Sequence, residues 1–212
     1  MMFYVFLIAT AIISYILGGI NGAIITSIYL YRKDIRKYGS GNPGLTNFYR
    51  VFGKAGALLV VLIDVVKTVA PVLIGGILFG HFYKMEMFGR EVAGFFVLLG
   101  HDFPIYYGFK GGKGVMSTGA ILIVVDWRLA LISWGIFIVL TAATRYVSLS
   151  AMIGATAFPV CQFLFQIGGY KEIIVASLCA ALIIARHQSN IKRLIQGKEP
   201  KFSFKSSNPP PA

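Results

Sequence analysis

Residues 2–30 read MFYVFLIATAIISYILGGINGAIITSIYL, a run of 29 residues with no charged side chain and with Asn21 as its only amide. A helix that crosses a bilayer needs about 20 predominantly apolar residues, so this stretch is long enough to span with residues left over. It is apolar on all faces, which a helix on the surface of a soluble domain is not. A second run, residues 55–82, is nearly as long and carries Asp64 and Lys67. Shorter apolar runs follow at 92–107, 114–125, 129–143, 149–167 and 173–185.

These runs predict an all-α integral membrane protein, a polytopic bundle of about seven transmembrane helices. Composition agrees. Of the 212 residues 57% are hydrophobic and 13% are charged, against about 25% charged in ordinary soluble domains. A disordered chain, a collagen-like fibre and a disulfide scaffold are excluded. A transmembrane barrel needs alternating segments of about ten residues, and this chain has continuous runs. The expected organisation is one transmembrane domain over residues 1–202 and a disordered tail over 203–212, rich in Ser, Asn and Pro. No basic segment precedes the first run and it is too long for a cleavable signal, so it is expected to stay as the first helix. Gly76 and Gly80 form a GxxxG spacing, which 24 glycines produce by chance.

The net charge of +12 is distributed unevenly. With the N-terminus outside, the segments 31–54, 103–113, 144–148 and 186–212 face one side and hold 15 of the 20 basic residues against Asp34, Glu199 and, at the border, Asp102. Lys84, Arg90, Arg128 and Lys171 face the other side and are balanced by Glu86, Glu91, Asp126 and Glu172. The positive-inside rule assigns the basic side to the cytoplasm, with the C-terminus. Membrane insertion alone requires this asymmetry, so no nucleic-acid partner is inferred from it. Cys161 and Cys179 lie in apolar runs and read as buried small hydrophobes. Two cysteines and histidines scattered at 81, 101 and 187 make neither a disulfide framework nor a metal cluster. No metal and no cofactor are expected.

Three segments of the basic face carry chemistry. The first is Gly39-Ser40-Gly41-Asn42-Pro43-Gly44-Leu45-Thr46-Asn47-Phe48-Tyr49-Arg50. It matches GxGxxG formally, but no strand precedes it, so it is not a dinucleotide fingerprint. Its glycines allow sharp turns that present consecutive N–H groups to an anion. Ser40, Thr46 and Asn47 add neutral donors, and Arg50 adds a planar fork suited to phosphate. The second segment ends Phe109-Lys110-Gly111-Gly112-Lys113-Gly114 directly before an apolar run. A helix N-terminus offers unpaired N–H groups and partial positive charge, and Lys113 adds a full charge. The third is Arg186-His187-Gln188-Ser189-Asn190-Ile191-Lys192-Arg193. There His187 and Asn190 share a helical face, as do Asn190 and Arg193. Arg145, Ser148 and Ser150 form a shorter polar turn. Asp64 and Lys67, three apart in an apolar run, read as a structural pair facing the bundle interior. Two cation-bearing glycine-rich loops on one face point to a ligand with two anionic groups, or to two phosphorylated substrates.

Together these segments resemble the PlsY family, the bacterial membrane-bound acyl-phosphate:glycerol-3-phosphate acyltransferases, in motif order and over nearly the whole chain. The resemblance implies seven helices with the N-terminus outside, in the bacterial cytoplasmic (inner) membrane, with an active site facing the cytoplasm. It implies transfer of a fatty acyl group from acyl phosphate to the 1-hydroxyl of glycerol 3-phosphate, giving lysophosphatidate and inorganic phosphate. The substrate partners are then glycerol 3-phosphate and acyl phosphate, in contact with membrane lipid. By motif, His187, Asn190, Ser40 and Lys113 are the catalytic set. Ser40, Arg50 and Lys113 bind phosphate, and His187 and Asn190 hold the acceptor. Gly39, Gly41, Asn42, Thr46 and Asn47 complete the first loop, and Lys110, Gly111, Gly112 and Gly114 the second. Arg145, Arg193 and either Ser148 or Ser150 line the site. The residues show no Ser-His-Asp set, so either His187 or a substrate phosphate takes the acceptor proton. An organic-phosphate transporter or channel is the alternative, though its expected mark, charged residues along several spans, is confined to Asp64 and Lys67.

The charge partition yields a direct test. In a background lacking Cys161 and Cys179, a membrane-impermeant thiol reagent applied to intact cells should label Lys84→Cys and spare Lys37→Cys. The reverse pattern would overturn the orientation.

Overall fold

The computed structural model describes residues 1–203. The expected tail falls almost wholly outside the described residues. Among these, ten α-helices form in chain order: α1 Met2–Gly18, α2 Gly22–Tyr31, α3 Leu45–Phe52, α4 Lys54–Tyr83, α5 Glu86–Asp102, α6 Val115–Val125, α7 Trp127–Thr144, α8 Val147–Phe165, α9 Tyr170–Arg186 and α10 Gln188–Ile195. Four spans are long and apolar enough to cross a membrane: Met2–Tyr31, Lys54–Tyr83, Trp127–Thr144 and Val147–Phe165. The pair α9 and α10, bent by 59°, makes a fifth if it is counted as one span. At 11 residues, α6 is only about 16 Å long and falls short of a bilayer core of about 30 Å.

Several boundaries differ from the sequence reading. The opening run is broken. Its helix stops at Gly18–Gly19, and Asn21 restarts it by accepting a hydrogen bond from Ile24 N at 2.9 Å. The Asn21 amide also donates to Pro43 O at 3.1 Å, which ties the break to the first glycine-rich loop. The third span starts six residues early, at Glu86. Glu91, expected outside, is instead buried and accepts a hydrogen bond from Gln162 of α8. The first basic segment contains a helix, α3, because Phe48, Val51 and Phe52 recur at helical spacing and bury against Ala23, Ile24, Ile35 and Val60.

The largest core joins α4, α5, α6, α7, α8 and α9 through residues such as Val72, Leu98, Ile121, Leu129, Phe158 and Cys179. Helix α5 crosses α1 and α4 at glycines. A Cβ on Gly18 would stand 2.3 Å from Val97 O, and one on Gly100 would stand 2.1 Å from Tyr15 O. Between α4 and α5, Cβ atoms on Gly75 or Gly89 would run into the opposing backbone. Gly76 and Gly80 also face α5, against Arg90 and Glu86. Their spacing is a packing feature, because small residues allow the backbones of membrane helices to approach.

Asp64 and Lys67 occupy the break in the first span. Lys67 Nζ lies 2.8 Å from Asp64 Oδ1, and both side chains are 2% exposed. Lys67 donates to Ile20 O at 2.6 Å, and Asp64 accepts from Gly22 N at 3.1 Å. The cation therefore sits at the C-terminal end of α1 and the anion at the N-terminal end of α2, each on the favourable pole of a helix dipole. Removing one member of a buried pair strands the other charge, at a cost of about 3–5 kcal/mol. Asp64→Ala should lower the thermal unfolding midpoint of the detergent-solubilised protein markedly. Asp64→Ala/Lys67→Met should be less destabilised than the single variant, because no bare charge remains.

Candidate functional site

The expected segments converge on one cleft of about 1780 Å³. Eight basic residues line it, Arg36, Arg50, Lys54, Lys110, Lys113, Arg145, Arg186 and Arg193, against two acids, Asp64 and Glu199. That imbalance favours an anionic ligand. The lining changes character along three helices. Met116 and Gly119 lead to Leu122 on α6, Thr141 and Ile138 to Phe137 and Trp134 on α7, and Ser148 to Ala151 and Ala155 on α8. These residues recur at steps of three and four, so each helix turns one face to the cleft. The cleft thus joins a cationic mouth to an apolar groove, about 10 Å deep from Thr141 to Trp134 at 1.5 Å per residue.

The first loop is more closed than its glycines implied. Ser40 N donates to Asn47 Oδ1 at 2.9 Å, Gly41 N to Tyr38 O at 3.0 Å and Gly44 N to Asn42 O at 2.9 Å. Those three N–H groups hold the loop and do not form an open nest. The Asn47 amide donates to Tyr38 O at 3.0 Å, so its side chain staples the loop. Gly39 has φ +58°, and a Cβ there would meet Asn47 Oδ1 at 2.3 Å. Gly39 shapes the turn and is absent from the cleft wall. The loop delivers the start of α3 to the cleft instead. Leu45, Thr46 and Asn47 form its first turn, where N–H groups have no partner within the helix. One turn on, Arg50 lines the cleft on the same face as Thr46. Ser40 and Asn42 line it as well.

The second loop folds back on the end of α5. Gly111 N donates to Asp102 O at 3.2 Å and Gly112 N to His101 O at 3.1 Å. Arg186 donates to Gly112 O through Nη2 at 3.0 Å and Nε at 3.2 Å, and its guanidinium lies 4.7 Å over the Phe103 ring. Arg186 therefore clamps the loop to the end of α9. Gly112 packs on the His101 imidazole and does not itself line the cleft, while Lys110, Gly111, Lys113 and Gly114 do. Gly114, at φ +69°, opens α6, whose first turn faces the cleft.

The third segment completes the mouth. Lys113 Nζ donates to Asn190 Oδ1. Asn190 Nδ2 donates to Glu199 Oε1 at 2.6 Å, Ser148 Oγ to the same oxygen at 2.7 Å, and Arg193 Nε to Glu199 Oε2 at 2.7 Å. Burial works against charge on Glu199, but those three hydrogen bonds and the Arg193 charge hold its carboxyl below the usual value. Ser148 therefore lines the cleft. Ser150 does not: it is fully buried and its hydroxyl donates to Tyr146 O at 3.0 Å within its own turn. Arg145 lines the cleft, and its carbonyl accepts from Phe202 N at 2.7 Å, which brings the segment after α10 across the mouth.

His187 sits at the hinge between α9 and α10, 3% exposed, and lines the cleft. Its Nδ1 lies 2.7 Å from Ile183 O. A carbonyl only accepts, so Nδ1 carries the proton and Nε2 presents a lone pair. Burial, with Lys113 and Arg186 adding to it against the Ile183 hydrogen bond and Glu199, pushes the pKa of His187 down to about 4.

Sequence reasoning missed Glu199, read only as one of three acids on the basic side. A single carboxylate beside proline among Lys192, Arg193, Lys198 and Lys201 was the available signal. His101, Asp64 and Arg186 also belong to the cleft wall.

The family model described as glycerol-3-phosphate acyltransferase matches residues 8–197. A glycerol-3-phosphate acyltransferase of Thermoanaerobacter pseudethanolicus is 39% identical over 199 residues, covering 94% of this chain and 97% of the relative. One from Macrococcus caseolyticus is 38% identical, covering 92% and 96%. Among solved structures, PlsY, an integral membrane glycerol 3-phosphate acyltransferase, superposes in its glycerol 3-phosphate form with TM-score 0.82 and 32% identity, over 93% of this chain and 96% of that one. Its lysophosphatidic acid form gives TM-score 0.80 and 31% identity over the same shares.

Burial, reinforced by Arg193 and Arg186 against the pull of Glu199, lowers the pKa of Lys113 to about 8. The ammonium is present below that value and is lost as pH rises through it. Sulfate keeps its charge over this range. Its affinity for the ligand-free protein should therefore fall as pH rises through about 8, and Lys113→Arg should abolish that fall. Isothermal titration across pH 7–9 checks both.

Proposed function

The chain belongs to the glycerol-3-phosphate acyltransferase family, and from that premise we propose that it moves a fatty acyl group from acyl phosphate to the 1-hydroxyl of glycerol 3-phosphate. The products are lysophosphatidate and inorganic phosphate. The observation that supports this most is the single cleft with a cationic mouth and an apolar groove. An acyl phosphate needs both halves, and a second phosphorylated substrate needs the mouth.

In the proposed arrangement the acyl chain lies in the groove between α6, α7 and α8. Its phosphate lies among Arg50, Lys113 and the first turns of α3 and α6, with Ser40 as a further donor. Glycerol 3-phosphate enters beside His187, Asn190 and Arg193. The 1-hydroxyl oxygen attacks the acyl carbonyl carbon, the bond from that carbon to the phosphate oxygen breaks, and its electron pair leaves with phosphate. A phosphate oxygen takes the hydroxyl proton. Burial and the neighbouring Lys113 and Arg186 charges disfavour a protonated His187, which supports a substrate phosphate oxygen as the proton acceptor. His187 Nε2 accepts a hydrogen bond from the 2-hydroxyl and orients the acceptor, which leaves the 1-hydroxyl proton to the phosphate oxygen. The protein supplies positioning and positive charge, the two contributions an already activated acyl donor needs.

The same reading carries a topology. The spans are α1 with α2, α4, α5, α6, α7, α8 and α9, seven in all, with the N-terminus outside and the cleft facing the cytoplasm across a bacterial inner membrane. Residues 1–202 form one domain. The one-sided basic charge supports this orientation.

Purified protein should release phosphate from acyl phosphate only when glycerol 3-phosphate is present, with lysophosphatidate formed in equal amount. Release independent of glycerol 3-phosphate, or transport without acylation, would overturn the proposal. Losing a charged hydrogen bond to phosphate costs about 1.5–3 kcal/mol, so Arg50→Ala and Lys113→Ala should each lower kcat/KM by about 10- to 150-fold. His187→Gln should raise the KM for glycerol 3-phosphate and leave the acidic limb of the pH–rate profile in place. Loss of that limb at unchanged KM would make His187 the base.

A further inference from the structure

His101 is the penultimate residue of α5 and lies beneath the second glycine-rich loop. A Cβ built on Gly112 would stand 2.2 Å from His101 Nε2, so the imidazole fills the space where a side chain on the loop would be. His101 is 4% exposed and lines the cleft together with Gly111, Lys113 and Gly114. Its other ring nitrogen meets Lys67. Lys67 Nζ has three N–H bonds and no lone pair. Three acceptors surround it: Asp64 Oδ1 at 2.8 Å, Ile20 O at 2.6 Å and His101 Nδ1 at 2.8 Å. Each N–H has one acceptor, so His101 Nδ1 must accept. A nitrogen that accepts carries no proton, and the ring proton therefore resides on Nε2. Among the described residues the hydrogen-bond partner of the His101 ring is Lys67. Nε2–H is left as a donor at the cleft wall.

We propose that His101 donates its Nε2–H to a substrate phosphate oxygen held at the start of α6, with Asp64 and Lys67 as positioning residues that fix its tautomer. Phosphate is the acceptor chemistry that suits the neighbours, since Lys113 and the first turn of α6 converge on the same wall and each favours an anionic oxygen. His187 faces the cleft in the opposite state, with its proton on Nδ1 and its lone pair on Nε2. The two histidines therefore divide the work. One donates to an anion, and the other accepts from a hydroxyl. The proposal rests on the acyl-transfer reading, in which both substrates carry a phosphate group.

The test uses the full chain in detergent with 15N-labelled histidine, the signals being assigned with His81→Gln and His187→Gln. In the wild type, the His101 ring should show Nε2 protonated and Nδ1 bare. Asp64→Asn/Lys67→Met should lose that fixed tautomer. Adding inorganic phosphate should shift His101 Nε2. In turnover, His101→Phe should raise one substrate's KM by roughly 10- to 150-fold, and the substrate affected, glycerol 3-phosphate or acyl phosphate, identifies whose phosphate is bound. His101→Gln, which keeps an N–H donor, should recover part of the loss. A wild-type ring protonated on Nδ1 would overturn the proposal. So would an Nε2 signal unmoved by saturating phosphate, or both KM values within twofold in a folded His101→Phe variant. If His101→Phe does not fold, the two wild-type readings decide. The tautomer and the phosphate shift do not depend on turnover, so absence of acyl transfer alongside them would defeat only the functional reading.

Discussion

Placing a lysine and an aspartate inside a membrane bundle is tolerable only if each finds a partner, and here the partners are the two ends of a broken helix. The first span stops at Gly18–Gly19 and restarts at Asn21, which leaves a carbonyl on one side of the break and an N–H on the other. Lys67 takes the carbonyl of Ile20, Asp64 takes the N–H of Gly22, and the two charges pair with each other. Backbone groups opened inside a bilayer need such partners, because no water is available to replace them. The arrangement fixes α1, α2 and α4 relative to one another, and through His101 it reaches α5 and the second loop. Asn21 extends it to Pro43 in the first loop. Both glycine-rich loops are thereby held to one rigid point.

Electrostatics then shape the mouth. Eight cations around one cleft repel each other unless something offsets them. Glu199 does much of this, accepting from Ser148, Asn190 and Arg193, while Asn190 accepts from Lys113. A carboxylate thus sits among donors that also suit a phosphate. Arg186 has a different job from its neighbours. Its guanidinium is occupied by loop carbonyls and the Phe103 ring, so it holds the second loop in shape. Counting basic residues overstates how many of them meet a ligand.

The apolar groove explains why such a site lies in a membrane helix bundle. A fatty chain is insoluble in the aqueous phase and a phosphate is insoluble in the lipid. A reaction between a lipid-borne acyl group and a water-borne alcohol needs a cleft that opens to both. Helices α6, α7 and α8 each turn small or flat residues to the groove, Gly119, Phe137, Trp134, Ala151 and Ala155 among them. Gly119 is fixed by the indole of Trp134, which a Cβ there would meet at 2.5 Å.

Much of this was legible in the residues themselves. Apolar run length marked the membrane helices, because the bilayer imposes one dimension on every span. Charge asymmetry marked a face, and the glycine–cation segments marked a site on it, because those residue types have few other reasons to occur together in an apolar chain. The resemblance of three motifs named the chemistry. Sequence could not show which of those residues meet the cleft. Gly39 and Gly112 stay off the cleft wall, and Asn47 staples the first loop while also lining the cleft. Ser150 turned away while Ser148, two residues earlier, faced in, since a helix rotates about 200° over two residues. Glu199, Arg186 and His101 were brought to the site by long-range contacts: Ser148 with Glu199, Arg186 with Gly112, Lys67 with His101. Nothing in local sequence encodes which distant group satisfies a buried donor. The tautomer of His187 follows from a carbonyl one turn back in its own helix, but that of His101 was decided by tertiary packing, because a buried polar atom takes whichever partner the fold brings within reach.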